Sequence, residues 1–299
     1  MLMYHGVVEK FTEPLLERNF HLLNEFEYHI KQLSKKYHIV SADEFDNYLK
    51  AGKNLDNIIL ITFDDGYRNN LLAAEILNKY KCPYIVFAAT RHIGSTTRSI
   101  WTVELSINIL KAPIKHIELF DTKFDLSTES MRIDSFTQIR RKLKKMDAAD
   151  KNKHLQYITQ QLPSGFIESM IEKLPQFQLC NWDECRQISN ALGYIGSHGV
   201  DHELHTDFES EETIANEIIN STKDIELNVG QRPEFFAYPN GNHSPISYKY
   251  LGQCGYKQSF TTALGTVLPH DKPYLLSRVT PTRKLMKFSY QMHKIDTEY

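Results

Sequence analysis

The sequence predicts an α/β protein built around a parallel sheet. Short apolar segments rich in β-branched residues, such as the run from Ile58 to Phe63, alternate along the chain with amphipathic helical segments. Continuous apolar runs are typical of strands buried on both faces, and their alternation with helices favours right-handed crossovers. Because α/β barrels often reach this length undivided, we expect one domain over all 299 residues.

The first part of the chain supplies strands near residues 2, 58 and 84 and the helices between them. Apolar residues recur at spacings of three and four from Glu13 to Tyr37, which predicts one long helix there. Ser41 and Glu44 have capping-box spacing and predict a short helix through Leu49. The segment 70–80 predicts the helix that follows the strand near residue 58.

The alternation stops between about residues 93 and 178, and we interpret this stretch as an α-rich insertion beside the barrel mouth. Segments 114–119 and 122–126 predict a hairpin, and 136–162 predicts charged helix. The basic residues at 140–145 are interpreted as a solvated helix face. Contact with an anionic lipid phosphate or a charged glycan is the functional alternative.

The last part of the chain returns to strands and helices. Trp182 begins a helix capped by Asn181 or Asp183, and Trp182 itself either lines a sugar pocket or packs in the core. The segment 211–229 predicts an amphipathic helix. Its residues expected to face the core are Ile214, Ile218, Ile225 and Leu227. Strands near residues 194, 235, 258 and 276 bring the expected number to seven.

Composition excludes several classes of function. The 35 basic and 37 acidic residues nearly balance, so no nucleic-acid partner is expected. The four cysteines lack zinc-ribbon spacing and are predicted to be free thiols. No apolar run approaches the ~20 residues of a membrane span, and no signal peptide is recognised, so a cytoplasmic location is expected. Composition leaves the oligomeric state open.

Two polar motifs follow apolar strands. Asp64 and Asp65 are adjacent and precede a glycine, and His198 and His202 lie four residues apart. Two imidazoles and one carboxylate form a three-ligand set of the kind found in catalytic rather than structural zinc sites. The remaining aspartate would be free to act as a base. His205 extends the histidine series, but we interpret it as a packing residue because a carboxylate already completes the set.

These motifs, Thr62 to Gly66 and His198 to His202, resemble those of the polysaccharide deacetylase family, also called the NodB-homology domain or carbohydrate esterase family four. The resemblance implies a distorted (β/α)₇ barrel. It also implies that Asp64 is the catalytic base and that Asp65, His198 and His202 bind a divalent metal, with Zn²⁺ expected. The implied substrate is an N-acetylated amino sugar of a glycan or its precursor, with lipid-linked or nucleotide-linked sugars as carriers.

The sequence departs from the family pattern at three places. Gly199 stands where the family usually has Ser or Thr, and Ala237 stands where its third motif has an arginine that holds the base. Arg278 is our candidate to replace that arginine. The resemblance further assigns the backbone N–H near Tyr238 as oxyanion donor. The family's late histidine is missing, and His5 is the candidate acid, as in a rearranged branch that opens with Y-H-x-V; the alternative for His5 is core packing.

We therefore expect a metal-dependent carbohydrate N-deacetylase. Two alternatives remain open. One is a deformylase or O-esterase that uses the same base and metal ligands. The other is an inactive barrel that binds sugar without cleaving it. The missing arginine and the missing late histidine are consistent with this alternative.

Overall fold

A computed structural model describes residues 1–298 of the chain. The strands in chain order are β1 (Leu2–Tyr4), β2 (Val7–Val8), β3 (His21–Leu22), β4 (His38–Ile39), β5 (Ile58–Ile59), β6 (Ile61–Phe63), β7 (Tyr84–Ala88), β8 (His116–Leu119), β9 (Thr122–Asp125), β10 (Gly193–Ser197), β11 (Phe235–Ala237) and β12 (Gln258–Phe260). The helices are α1 (Leu23–Lys36), α2 (Ala42–Lys50), α3 (Asn70–Lys79), α4 (Trp101–Leu110), α5 (Glu129–Leu143), α6 (Ala148–Gln160), α7 (Phe166–Lys173), α8 (Trp182–Ser189), α9 (Glu211–Val229), α10 (Pro245–Cys254) and α11 (Leu285–Glu298).

The central sheet is parallel, with the strand order β1-β6-β7-β10-β11-β12. An extended segment, 276–279, lies between its two edges. Leu276 forms a parallel bridge to Phe260 in β12, and Val279 forms one to Leu2 in β1. The segment therefore occupies the seventh position, and the curled sheet is the predicted distorted (β/α)₇ barrel.

The predicted helix from Glu13 to Tyr37 is wrong over its first ten residues, because α1 begins at Leu23. The earlier residues form a loop whose main chain is held by a buried side chain. The Glu17 carboxylate accepts hydrogen bonds from the N–H groups of Thr12 and Glu13, at 3.0 and 2.9 Å. These contacts hold the loop in a non-helical conformation that the apolar spacing did not reveal.

Helix α9 has the predicted bounds, but one predicted core residue is misplaced. Ile214, Ile218 and Ile225 are buried, whereas Leu227 is 84% exposed. Two residues beyond Ile225 correspond to about 200° around the helix axis, so Leu227 faces away from the core. The core of the barrel lies between the sheet and α1, α3, α8 and α9, and includes Tyr4, Phe26 and Phe63.

The stretch between residues 93 and 178 contains α4, the antiparallel β8–β9 hairpin and helices α5 to α7. It has an apolar cluster of its own, centred on Leu105, Ile117, Phe136 and Ile139. The Thr128 hydroxyl caps α5 by accepting the Met131 N–H. This packing fixes the orientation of α5, whose C-terminal end reaches the barrel.

All four cysteines are buried free thiols, as predicted. In the described part of the chain, none of the helices combines the length and the apolar character that a membrane span needs.

Candidate active site

Asp64 follows β6 and is paired with the candidate arginine. The Arg278 guanidinium donates two parallel hydrogen bonds to the Asp64 carboxylate, at 2.6 and 2.7 Å, and both side chains are buried. Arg278 is itself held by Nε donating to Thr261 O at 2.9 Å and by Nη1 donating to the Thr62 hydroxyl at 3.2 Å. This bidentate geometry orients the carboxylate as well as neutralising it.

Arg278 also sets the ionisation of Asp64. Burial acts to raise the pKa of Asp64, but the Arg278 charge, the nearby His198 and the Arg278 hydrogen bonds lower it below its ordinary value overall. Asp64 is therefore an ionised carboxylate at neutral pH, which is the form that can accept a proton.

Asp65, His198 and His202 converge although more than a hundred residues separate the aspartate from the histidines. Asp65 Oδ1 lies 3.4 Å from Nε2 of each imidazole, and one potential ligand atom from each residue lies within 4.8 Å of the others. All three side chains are buried. Asp65 and His202 have φ angles of 75° and 58°. Such left-handed conformations of non-glycine residues are strained and cluster at functional sites.

The chemistry of this donor set fits a divalent cation. His198 Nδ1 lies 2.7 Å from the Ala237 carbonyl oxygen. Because a carbonyl oxygen can only accept a hydrogen bond, Nδ1 carries the proton. The lone pair of Nε2 is therefore available to bind a metal ion. Burial acts to lower the pKa of His198, but the hydrogen bond with Asp65 and the charges of Asp64 and Asp65 raise it overall. Two imidazoles and one carboxylate, all buried, match the ligand sets of three-ligand sites of the catalytic type.

A buried glutamate holds the loop that carries the two histidines. Glu217 in α9 accepts hydrogen bonds from the N–H groups of Val200, Asp201 and Glu203, at 3.1, 2.9 and 3.1 Å. A Cβ placed on Gly199 would lie 2.3 Å from Glu217 Oε2, and Gly199 has a φ of 81°. The carboxyl group thus occupies the space that a Ser or Thr side chain at position 199 would need. Its hydrogen bonds support the loop at the position where the family usually has Ser or Thr.

Contacts from other elements fix the same loop. The N–H groups of Thr90 and Arg91 donate to the carbonyl oxygens of Gly199 and Val200, at 3.1 and 3.0 Å. From the opposite side, Trp101 Nε1 donates to the His202 carbonyl oxygen at 2.9 Å. The histidine loop is therefore anchored both by the segment that follows β7 and by Trp101 in α4.

His5 follows β1, next to the strand that carries the aspartates. The parallel register pairs Tyr4 with Phe63, so His5 comes level with Asp64. The His5 side chain is half-buried, and its charge is one of the influences that lower the pKa of both Asp64 and Asp65. Its carbonyl oxygen accepts a hydrogen bond of 2.6 Å from the Asn70 amide. The imidazole thus lies at the mouth beside the aspartates.

The assignment of the Tyr238 N–H as oxyanion donor is wrong. That N–H donates to the Phe260 carbonyl oxygen at 3.0 Å as part of the β11–β12 pairing, and the Tyr238 side chain is buried with its hydroxyl bonded to Ser259. Two residues later, Asn240 has a φ of 55° in a tight turn. Within the described residues, the Asn240 N–H makes no hydrogen bond.

His205 lies outside the carboxylate–imidazole group. Its Nδ1 lies 3.0 Å from the Ser247 hydroxyl, and its ring stacks against Phe236 with 5.5 Å between centroids. Burial lowers the pKa of His205 to about 3, so the ring is neutral. These contacts are those of a packing residue.

Sequence reasoning missed Glu217, although a signal was present. Glu217 lies between Ile214 and Ile218 on the apolar face of α9, where a charged residue is unusual unless its carboxylate has hydrogen-bond donors. A charged residue within a predicted core stripe is therefore worth testing as a support for a nearby loop.

The barrel and the carboxylate–imidazole group at its mouth together define a hydrolase of the carbohydrate esterase class. A family model described as polysaccharide deacetylase matches residues 51–259, and the chain belongs to this family. The matched range contains Asp64, Asp65, His198 and His202, whereas His5 and Arg278 lie outside it. A search of curated proteins found no match.

Solved structures with the same fold cover nearly the whole chain. The Streptococcus pyogenes deacetylase PplD in complex with acetate is 13% identical, with a TM-score of 0.64, and the alignment covers 98% of this chain and 96% of that one. IcaB from Ammonifex degensii is 18% identical, with a TM-score of 0.59 and coverages of 94% and 90%. A de-N-acetylase from Aggregatibacter actinomycetemcomitans is 16% identical, with a TM-score of 0.54 and coverages of 96% and 98%. At these identities the likeness establishes the fold.

Proposed function

We propose that this protein is a metal-dependent hydrolase that removes N-acetyl groups from an amino sugar in a glycan or glycan precursor. The observation that carries the proposal is the buried Asp65, His198 and His202 group next to an aspartate held by Arg278. Membership of the polysaccharide deacetylase family supports the reaction class. The structurally similar PplD is a deacetylase and the Aggregatibacter actinomycetemcomitans protein is a de-N-acetylase, which is consistent with the same chemistry.

Asp65, His198 and His202 would hold the metal, and we expect Zn²⁺ because imidazole and carboxylate donors suit it. A bound divalent ion supplies Lewis-acid polarisation of the amide carbonyl and of water. Asp64 is the proposed general base, because Arg278 keeps it ionised and oriented without occupying the site. The lone pairs that Arg278 leaves free accept the proton of the attacking water.

Two further groups complete the proposed reaction. His5 would donate a proton to the departing nitrogen, since an amine is a poor leaving group until it is protonated. The Asn240 N–H replaces Tyr238 as the proposed oxyanion donor, because it is free within the described residues and belongs to the turn that follows β11. The Ala237 carbonyl at the end of β11 contacts His198, so this turn begins next to one of the proposed metal ligands.

The test combines metal analysis with a substrate panel. The purified chain is stripped with a chelator, reloaded with Zn²⁺ and assayed for acetate release from N-acetylglucosamine oligomers. N-formylated and O-acetylated sugars serve as competing substrates. We expect acetate from the N-acetyl compounds and no release by the stripped protein. Preferential formate or O-acetate release would instead identify the deformylase or esterase, and binding without any release would identify a sugar-binding barrel.

Asp64→Asn provides the matched variant, because it preserves shape and removes the proton acceptor. We expect it to bind about as much zinc as the wild type and to lose at least about 10²-fold in turnover, the usual contribution of a general base. Unchanged turnover by this variant would contradict the assignment of Asp64.

A further inference from the structure

Four cationic side chains lie beside the barrel mouth and form no ion pair with any side chain that the structure describes. They come from the loop before β3, from the end of α5 and from the loop after the 276–279 segment. We call them the cationic cluster. Its members are Arg18, Arg140, Lys144 and Arg283.

An aromatic ring brings two members of the cationic cluster together. The guanidinium carbons of Arg18 and Arg140 lie 5.5 and 5.3 Å from the centre of the Phe136 ring. Phe136, Arg140 and Lys144 are spaced by four residues, so their side chains follow one another along a single face of α5. Arg283 joins the group by donating from Nη1 to the Arg18 carbonyl oxygen at 3.5 Å, and its guanidinium lies 4.1 Å from the Phe11 ring centre.

Lys144 connects the cationic cluster to the candidate active site. Its ammonium donates a hydrogen bond to the Asn240 side-chain oxygen. Asn240 lies in the turn after β11, and its N–H makes no hydrogen bond within the described residues. Arg283 follows the segment that contains Arg278, and its charge is among the influences that lower the pKa of His21. The cationic cluster therefore borders the mouth near the proposed reacting groups.

The positive charges of the cationic cluster repel one another. Burial, followed by the charge of Arg140, lowers the pKa of Lys144 to about 8. Partial burial, followed by the charge of Arg18, lowers the pKa of Arg140. Arg141 and Lys145, in the same basic run, are exposed, as Arg140 is, and fit the solvated face that the sequence suggested. Arg140 differs from them because its guanidinium lies over the Phe136 ring. Arg140 and Lys144 have no carboxylate partner among the described residues, and a bound anion would stabilise their positive charge.

We propose that the cationic cluster binds a phosphoryl group carried by the substrate. This inference rests on the proposed function and narrows its substrate to a phosphorylated, N-acetylated amino sugar. A phosphoryl group is favoured over a single carboxylate because it offers more charge and three acceptor oxygens to several cations, and guanidinium groups bind it with two parallel hydrogen bonds. The cationic cluster would also increase the association rate of such a substrate at low ionic strength.

The kinetic test compares N-acetylglucosamine 1-phosphate with unphosphorylated N-acetylglucosamine, using the zinc-loaded full chain. We expect kcat/KM to be about ten-fold or more higher for the phosphorylated sugar, as one or two charge-assisted hydrogen bonds would provide. Arg140→Gln and Lys144→Gln should each reduce that ratio about ten-fold. Arg141→Gln is the matched control, because it removes the same charge one residue away, and it should keep the ratio. Equal ratios in all four proteins would overturn the proposal.

A binding test keeps this inference separate from deacetylation. Inorganic phosphate is titrated into the zinc-loaded protein and its variants by calorimetry. Weaker binding by Arg140→Gln but not by Arg141→Gln supports the cationic cluster as an anion site, even if no sugar releases acetate and the proposed function fails. Phosphate binding that is equal in the two variants overturns it. Loss of sedimentation with phosphatidylglycerol vesicles in Arg140→Gln, without any preference for the phosphorylated sugar, would assign the cationic cluster to a membrane surface and also overturn it.

Discussion

Replacing Glu217 tests whether a single buried carboxyl group positions the proposed metal ligand His202. Glu217 lies in α9, away from the ligand atoms, but it accepts the N–H groups of Val200, Asp201 and Glu203. Those three residues surround His202 in sequence. If Glu217 is removed, the contacts from Thr90, Arg91 and Trp101 remain. The three N–H groups lose their acceptor, however, and His202 is held less firmly.

The expected effect of Glu217→Gln follows from how the two carboxyl oxygens share the three N–H groups. Oε2 accepts from Val200 and Glu203, and Oε1 accepts from Asp201. Burial raises the pKa of Glu217 to about 8, against the opposing effect of the Asp201 and Glu203 N–H groups. Glu217→Gln therefore changes the charge little at pH 7, and it leaves the Asp201 N–H without an acceptor, at a cost of about 1–3 kcal/mol. Because such supporting residues usually change metal affinity 10–100-fold, we expect a Kd for Zn²⁺ about 10-fold higher.

The assay is a competition titration of Zn²⁺ against a chromophoric chelator, with urea unfolding of the metal-free protein measured in parallel. Glu212→Gln is the control, because Glu212 is exposed on the same helix. Gly199→Ser should weaken binding by a second route, since its Cβ would meet Glu217 and its φ would be strained. If Glu217→Gln binds zinc within about two-fold of wild type, the change in binding free energy is less than about a third of that expected for a ten-fold change. Glu217 would then not position His202.

Three other perturbations test separate contacts. Arg278→Met leaves the buried Asp64 carboxylate without its partner, so urea unfolding should show a loss of about 3–5 kcal/mol, with Arg278→Lys falling between it and wild type. His5→Gln should slow amide hydrolysis about 100-fold more than hydrolysis of p-nitrophenyl acetate, whose leaving group needs no proton; equal effects would remove His5 as the acid. Burial lowers the pKa of His29 to about 3. The unfolded chain therefore binds the extra proton below about pH 6.5, and stability falls as the pH drops, so His29→Phe should flatten that fall by up to about 1.4 kcal/mol per pH unit.

The sheet and most of the site could be predicted because parallel strands impose a common geometry. Asp64 and His198 each follow a buried apolar run, and the carboxyl ends of parallel strands meet at one edge of the barrel. Arg278 was predictable for the same reason, since it follows Leu276 at the seventh position. The misplacement of Leu227 was also open to correction from helix geometry alone.

Other features depend on pairings that local pattern does not encode. Whether the Tyr238 N–H is free depends on how far the pairing of β11 with β12 continues. The pairing extends to Tyr238, whose N–H donates to the Phe260 carbonyl oxygen. The loop before α1 is non-helical because Glu17 binds its main chain, although the apolar spacing there matches a helix.

The sequence by itself determined the strands, the polar residues at their ends and hence the family's chemistry, because residue type and spacing control which segments are buried. Only the tertiary structure decided what supports and surrounds that chemistry. Glu217 reaches the histidine loop from α9, and Lys144 reaches Asn240 from the end of α5. Such contacts join residues far apart in the chain, so their existence depends on helix orientation and packing, which no local pattern specifies.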